Sequence, residues 1–114
     1  MLIVDDDTRL ADTFAAALRG AGFDVHTAGN GVHGYSSYFR NPTDWVITDI
    51  EMGELDGLEM MRCIRAINPV VKTIYMSAAA DKYAPALSAE ARQFGVKVLR
   101  KPFGWKHLVE QITG

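Results

Sequence analysis

The sequence predicts an α/β domain whose parallel sheet is covered by helices on both faces. Two observations carry that reading. Five short apolar runs alternate with five helical patterns along 114 residues, and the residues following several of the runs are chemically reactive types. Strand–helix units in series favour parallel strands joined by right-handed crossovers. Ligands in such folds bind beyond the carboxyl ends of the strands, so those following residues matter most.

The first run, LIV (2–4), reads as a short buried strand. TRLADTFAAALRGAG (8–22) follows as a helix, with Leu10, Phe14, Ala17 and Leu18 on one face and Gly20 or Gly22 ending it. FDVHTA (23–28) is a second strand, VHGYSSYFR (32–40) a short helix, and DWVITD (44–49) a third strand rich in β-formers. GLEMMRCIRAINP (57–69) places Leu58, Met61, Ile64 and Ile67 at helical spacing, with Pro69 at its end. VKTIYM (71–76) is the fourth strand, and KYAPALSAEARQFG (82–95) aligns Tyr83, Leu87, Ala91 and Phe94 along one helical stripe. VKVL (96–99) is the fifth strand, and GWKHLVEQI (104–112) a last helix with Trp105, Leu108, Val109 and Ile112 inward.

A chain of this length is expected to form one domain over residues 1–114 around a single core. Hydrophobic content of 48% and charged content of 23% are ordinary for a globular protein, and a net charge of -2 gives no reason to expect nucleic acid or an anionic membrane as partner. No apolar run approaches a membrane span, and no signal-peptide pattern opens the chain. The single cysteine, Cys63, forms no internal disulfide, which fits a reducing cytoplasm.

The chemistry gathers at the carboxyl ends of the strands. Asp5, Asp6 and Asp7 follow the first, Asp49 ends the third, Ser77 follows the fourth, and Arg100, Lys101 and Pro102 follow the fifth. Two unit charges about 4 Å apart repel by roughly 4 kcal/mol at an effective dielectric near 20, so a fold that gathers acids here has a use for them. If strands one and three are neighbours, about 4.8 Å apart, then Asp5, Asp6 and Asp49 converge, with Ser77 and Lys101 on the next two strands outward. Converging carboxylates make a hard-oxygen site suited to Mg²⁺. A carboxylate can also attack phosphorus to form an aspartyl phosphate, a transfer that needs charge neutralisation on the phosphoryl oxygens. The metal would supply it from one side, and the Lys101 ammonium and Ser77 hydroxyl from the other.

VDDD (4–7), DWVITDIEMGELDGLEM (44–60), YMSAAAD (75–81) and LRKPF (99–103), in this order and spacing, resemble the response-regulator receiver domains of two-component signalling over essentially the whole chain. The resemblance implies a flavodoxin-like, doubly wound sheet of order 2-1-3-4-5. It implies that Asp49 accepts a phosphoryl group from a histidine kinase or phosphotransfer protein. It also implies that Asp6 binds Mg²⁺ (or Mn²⁺) directly, Asp5 mainly through water, and the Glu51 backbone carbonyl as a third protein ligand. Ser77 would bond the phosphoryl group, Lys101 would pair with its oxygens, and the Lys101–Pro102 bond would be cis. The domain would be a cytoplasmic switch that assists its own phosphorylation rather than an enzyme. Its output would go to an unidentified partner, a second copy in a homodimer, or a domain beyond Gly114. The first strand begins almost at Met1, which suggests a shortened chain.

Some positions depart from the family pattern. Val98 stands where an aromatic switch residue is usual, three positions before the lysine, and Gly53 replaces a proline of the acceptor loop. Glu51 and Ala79 fill the two positions that tune phosphoryl lifetime in the family. Phosphorylation is expected to alter the surface of the fourth helix, fifth strand and last helix near Lys82, Glu90, Val98 and Lys106.

Plainer roles suit the other residues. Asp7 reads as a helix N-cap, Glu54 and Asp56 as solvent-facing loop charges, Cys63 as a small packed hydrophobe, and Met60 and Met61 as core. His26, His33 and His107 lack metal-ligand spacing. GNGVHG (29–34) matches a dinucleotide-binding glycine pattern, with Asp49 twenty residues after Gly29. It follows the second strand, however, opens a very short helix and leaves the acidic cluster unexplained, so a tight turn accounts for it better. A haloacid-dehalogenase-like phosphatase would make Asp5 the nucleophile and leave Asp49 idle. Arg9 stands where that family has Thr or Val, and only Glu110 remains past Lys101 for its later acidic pair. A third alternative is a receiver-fold binding module that is not phosphorylated.

Overall fold

The computed structural model describes residues 1–113. Its elements follow the expected order: β1 (Leu2–Val4), α1 (Thr8–Gly20), β2 (His26–Ala28), α2 (Gly31–Arg40), β3 (Trp45–Asp49), α3 (Gly57–Ile67), β4 (Lys72–Ser77), a single 3-10 turn (Ala80–Tyr83), α4 (Ala84–Phe94), β5 (Lys97–Arg100) and α5 (Trp105–Thr113). The five strands are parallel in the order β2-β1-β3-β4-β5. Successive strand residues point to opposite faces, so the inner strands β1, β3 and β4 feed two cores. Leu2, Val4, Val46 and Tyr75 pack on one face with Met60, Met61 and Ile64 of α3 and Leu87 of α4. Ile3, Ile47, Ile74 and Met76 pack on the other with Phe14 and Leu18 of α1 and Leu108 of α5. Burial on both sides explains why these inner strands read as mainly apolar runs.

Local chemistry sets the helix starts. The Asp7 carboxylate accepts from the Leu10 backbone N–H at 3.2 Å, as expected of an N-cap. Asp56 does the same for Glu59 at 2.8 Å, and the Glu59 carboxylate accepts from the Asp56 N–H. Asp56 is therefore one half of a capping box at α3, not a free loop charge. Two of the three glycines of GNGVHG, Gly31 and Gly34, prove to be close approaches. A Cβ on Gly31 would lie 2.1 Å from the Leu55 carbonyl oxygen, and one on Gly34 would lie 2.6 Å from Met60 Sδ. They let α2 press against α3 and the β3–α3 loop, so packing accounts for both glycines.

Several expectations need correction. β2 spans three residues, and Phe23–Val25 precede it as irregular chain. The inward stripe of α1 is Ala11, Phe14, Ala15 and Leu18, with Leu10 and Ala17 only partly buried. In α3, Met60 is buried as fully as Met61, whereas Ile67 lies exposed in the last turn. Cys63 is exposed, on the outer face of that helix. Trp105, in the first turn of α5, is also partly exposed. In α4 only Leu87 and Glu90 are buried, while Ala91 and Phe94 lie outside. The helix is rotated to bury a carboxylate, which an apolar periodicity does not register. Glu90 is therefore not part of the outer surface on which Lys82, Val98 and Lys106 are exposed. Among the described residues, no helix is long and apolar enough to cross a membrane.

Candidate functional site

The carboxyl ends of β1, β3, β4 and β5 form one edge of the sheet. β1 pairs with β3, so Asp5 and Asp6 emerge beside Asp49, and carboxylate oxygens of the three lie within 4.8 Å of one another. Asp5 is buried: Oδ1 accepts from the Asp7 N–H at 2.9 Å, and Oδ2 accepts from Lys101 Nζ at 2.9 Å. Asp49 is half-buried, with Oδ1 accepting from the Ile50 N–H at 2.8 Å and Oδ2 from Lys101 Nζ at 3.1 Å. Asp6 is exposed to solvent. Lys101 thus bridges two of the three acids, although nearly a hundred residues of sequence separate it from Asp5.

Electrostatics follow from that crowding. Burial raises the Asp49 carboxyl above the ordinary aspartate range, and the neighbouring Asp5 charge adds to it; the Lys101 ammonium and the Ile50 N–H offset only part. Burial alone would lower the Lys101 pKa, but the hydrogen bonds and charges of Asp5 and Asp49 outweigh it and raise it. The site holds three acids against one base, a donor set that fits a divalent cation of the Mg²⁺ type.

Ser77 ends β4, one residue beyond the partner of Asp49 in the ladder. It is buried, and its Oγ accepts from the Ala79 N–H at 2.9 Å, so its hydroxyl is engaged at the start of the loop leading to α4. The Lys101 N–H donates to the Ser77 carbonyl at 2.9 Å, and the Lys101–Pro102 peptide is cis. Glu51 lies exposed in the loop after Asp49, and its carboxylate stands outside the acidic cluster among the described residues. Gly57 is a residue the sequence reading passed over. Its N–H donates to the Ile50 carbonyl at 2.8 Å, and a Cβ there would lie 2.1 Å from the Asp49 carbonyl oxygen. The start of α3 closes directly over the end of β3, and the signal was the glycine just after an N-cap acid.

The family model described as response regulator receiver domain matches residues 1–113. The chain belongs to that family. As a receiver it is 33% identical to the response regulator receiver protein CpdR of Brucella abortus, over 98% of this chain and 92% of that protein. It is 34% identical to the transcriptional regulatory protein ZraR of Klebsiella oxytoca, over 87% of this chain but only 23% of that protein's length. Among solved structures, the response regulator TrrA of Thermotoga maritima, in complex with Mg²⁺ and BeF, superposes with a TM-score of 0.82 at 30% identity, covering 97% of this chain and 93% of that one. This receiver is thus a switch domain of two-component signalling, with the flavodoxin-like strand order of its family.

Proposed function

We propose that this receiver takes a phosphoryl group onto Asp49 from a histidine kinase or phosphotransfer protein. Asp49 Oδ attacks phosphorus, the P–N bond to the donor imidazole breaks, and the electron pair and negative charge leave with that nitrogen, which takes up a proton. The observation that carries the reading is the Lys101 ammonium, bonded at once to Asp5 and Asp49 beside a third carboxylate. Asp5, Asp6, Asp49 and the Glu51 carbonyl would hold Mg²⁺ or Mn²⁺, which neutralises phosphoryl oxygen charge when bound. Lys101, freed from Asp49 Oδ2 as that oxygen is esterified, pairs with a phosphoryl oxygen. The Ser77 hydroxyl turns from the Ala79 N–H to bond another. Asp49 suits the nucleophile better than Asp5, because its side chain keeps 14% exposure whereas that of Asp5 keeps 1%, although both acids have each oxygen hydrogen-bonded.

The test is intact mass after incubation with Mg²⁺ and acetyl phosphate. One metal-dependent phosphoryl adduct is expected, absent in Asp49→Asn. Phosphate turnover without an adduct, surviving Asp49→Asn and lost in Asp5→Asn, would instead mark a haloacid-dehalogenase-like phosphatase. No Mg²⁺ binding and no adduct from any donor would leave a binding module. The phosphorylated domain is expected to act from the surface of α4, β5 and α5, on a separate partner, a second copy or an attached output domain.

A further inference from the structure

Helix α4 is seated by two buried side chains, Leu87 and Glu90. The second is a carboxylate held by groups from two other elements. The Tyr75 hydroxyl of β4 donates to Glu90 Oε1 at 2.5 Å, and Arg65 Nη2 of α3 pairs with the same oxygen at 2.8 Å. That nitrogen also lies 3.3 Å from the Tyr75 oxygen and 3.4 Å from Thr73 Oγ1. The guanidinium carbon sits 4.2 Å from the centre of the Phe94 ring. Arg65 Nε and Nη1 are buried without a hydrogen-bond partner among the described residues. An apolar side chain at position 90 would seat the helix without desolvating an ion pair, so packing alone does not account for the cluster.

Its placement points to a task. Tyr75 lies two residues before Ser77 on the same face of the same strand. Val98 is its partner on β5, a short and partly exposed side chain where the family usually has an aromatic switch residue. On that side of α4 a cavity of about 590 Å³ opens, lined by Leu87, Val98 and Leu99 among others. The helix has a polar anchor on its α3 side and open space on its β5 side. Burial and the adjacent Glu90 raise the Tyr75 phenol well above its ordinary range, so it remains a donor.

We propose that the Tyr75–Glu90–Arg65 cluster is a latch that holds α4 in its resting position, and that engagement of Ser77 at the site releases it. The latch takes the transmitting role that an aromatic residue at position 98 would otherwise fill, and it rests on Asp49 being the phosphoacceptor. When the Ser77 hydroxyl turns to the phosphoryl group it gives up the Ala79 N–H, the entry to the 3-10 turn that runs straight into α4. The strand end that moves carries the latch donor two residues back. Hydrogen bonds are directional and weaken steeply with misalignment, whereas apolar contact tolerates sliding. A small displacement therefore unseats Glu90 while Leu87 stays covered.

The experiment is amide hydrogen exchange over residues 84–94 in wild type, Tyr75→Phe and Glu90→Gln, with and without Mg²⁺ and beryllium fluoride, a stable mimic of the phosphoryl group. In wild type the mimic is expected to speed exchange in α4. In either variant α4 should exchange about tenfold faster already at rest, with little further change on adding the mimic. A packing role alone would loosen α4 equally in both states and keep the full increment, which would overturn the latch. So would a wild-type α4 indifferent to the mimic, or variants whose resting exchange equals wild type. Phosphoryl uptake by mass on the same three proteins separates the two claims: its loss in wild type counts against the Asp49 reading, whereas its retention alongside an unchanged α4 counts against the latch alone.

Discussion

Asp49 carries a cost at its own position that its task would recover. Burial outweighs the Lys101 ammonium, so the folded protein holds the carboxyl proton to higher pH than the unfolded chain does. The sign follows by linkage. The folded pKa lies above the unfolded value near 3.8, so the contribution to stability is full below that value and is lost as pH rises through the folded pKa. Asp49→Asn removes the ionised form altogether. The variant is therefore expected to be more stable than wild type at neutral pH, with the margin widening from acidic pH and then levelling off. Thermal melts of the two proteins in metal-free buffer across pH 3 to about 7 check this, each 1 kcal/mol appearing as roughly 5 °C in a domain of this size. A variant that melts below wild type at pH 7 would mean that the Lys101 pair outweighs desolvation.

At the scale of elements, the glycines at the entry to α2 separate two readings of one motif. Gly31 sits where a Cβ would press on the Leu55 carbonyl oxygen, whereas a Cβ on Gly29 would make an ordinary 3.7 Å contact with Thr8 Cγ2. Gly31→Ala is expected to destabilise by about 1–3 kcal/mol and Gly29→Ala by much less, read from urea melts. A dinucleotide loop would need both glycines for binding and neither for stability. The order of strands and helices was legible because the inner strands β1, β3 and β4 are largely buried on both faces and so read as mainly apolar runs, whereas β2 and β5, at the sheet edges, keep exposed positions. Asp7 at α1 was legible too, since an N-cap is a local device. The seat of α4 was not, because Glu90 becomes a core residue only through Arg65 and Tyr75, which the fold brings to it from other elements. Asp56 differs from its reading as a loop charge because it forms a reciprocal capping box with Glu59, a residue inside α3.

For the whole molecule, the topology does what no local pattern does: it brings Asp5, Asp49 and Lys101 from β1, β3 and β5 to one sheet edge. The candidate acids were legible as the residues following each strand, but the bonds of Lys101 to both Asp5 and Asp49 are a property of the order β2-β1-β3-β4-β5. That edge holds three acids and one base in a chain whose net charge is -2. A cation that fits it relieves repulsion in the folded state and finds no such cluster in the unfolded chain. Binding confined to the folded state stabilises in proportion to RT ln(1 + [L]/Kd), about 2.7 kcal/mol at a hundredfold excess over Kd. The melting temperature is therefore expected to climb logarithmically with Mg²⁺ and to fall back on chelation. In an Asp5→Asn, Asp6→Asn double variant the climb should vanish, because Asp49 alone is a single carboxylate. Sodium chloride at matched ionic strength serves as the control, since it screens surface charge without filling the site. A rise that sodium reproduces, or that the double variant keeps, would mean that the edge responds to ionic strength and not to a coordinated metal.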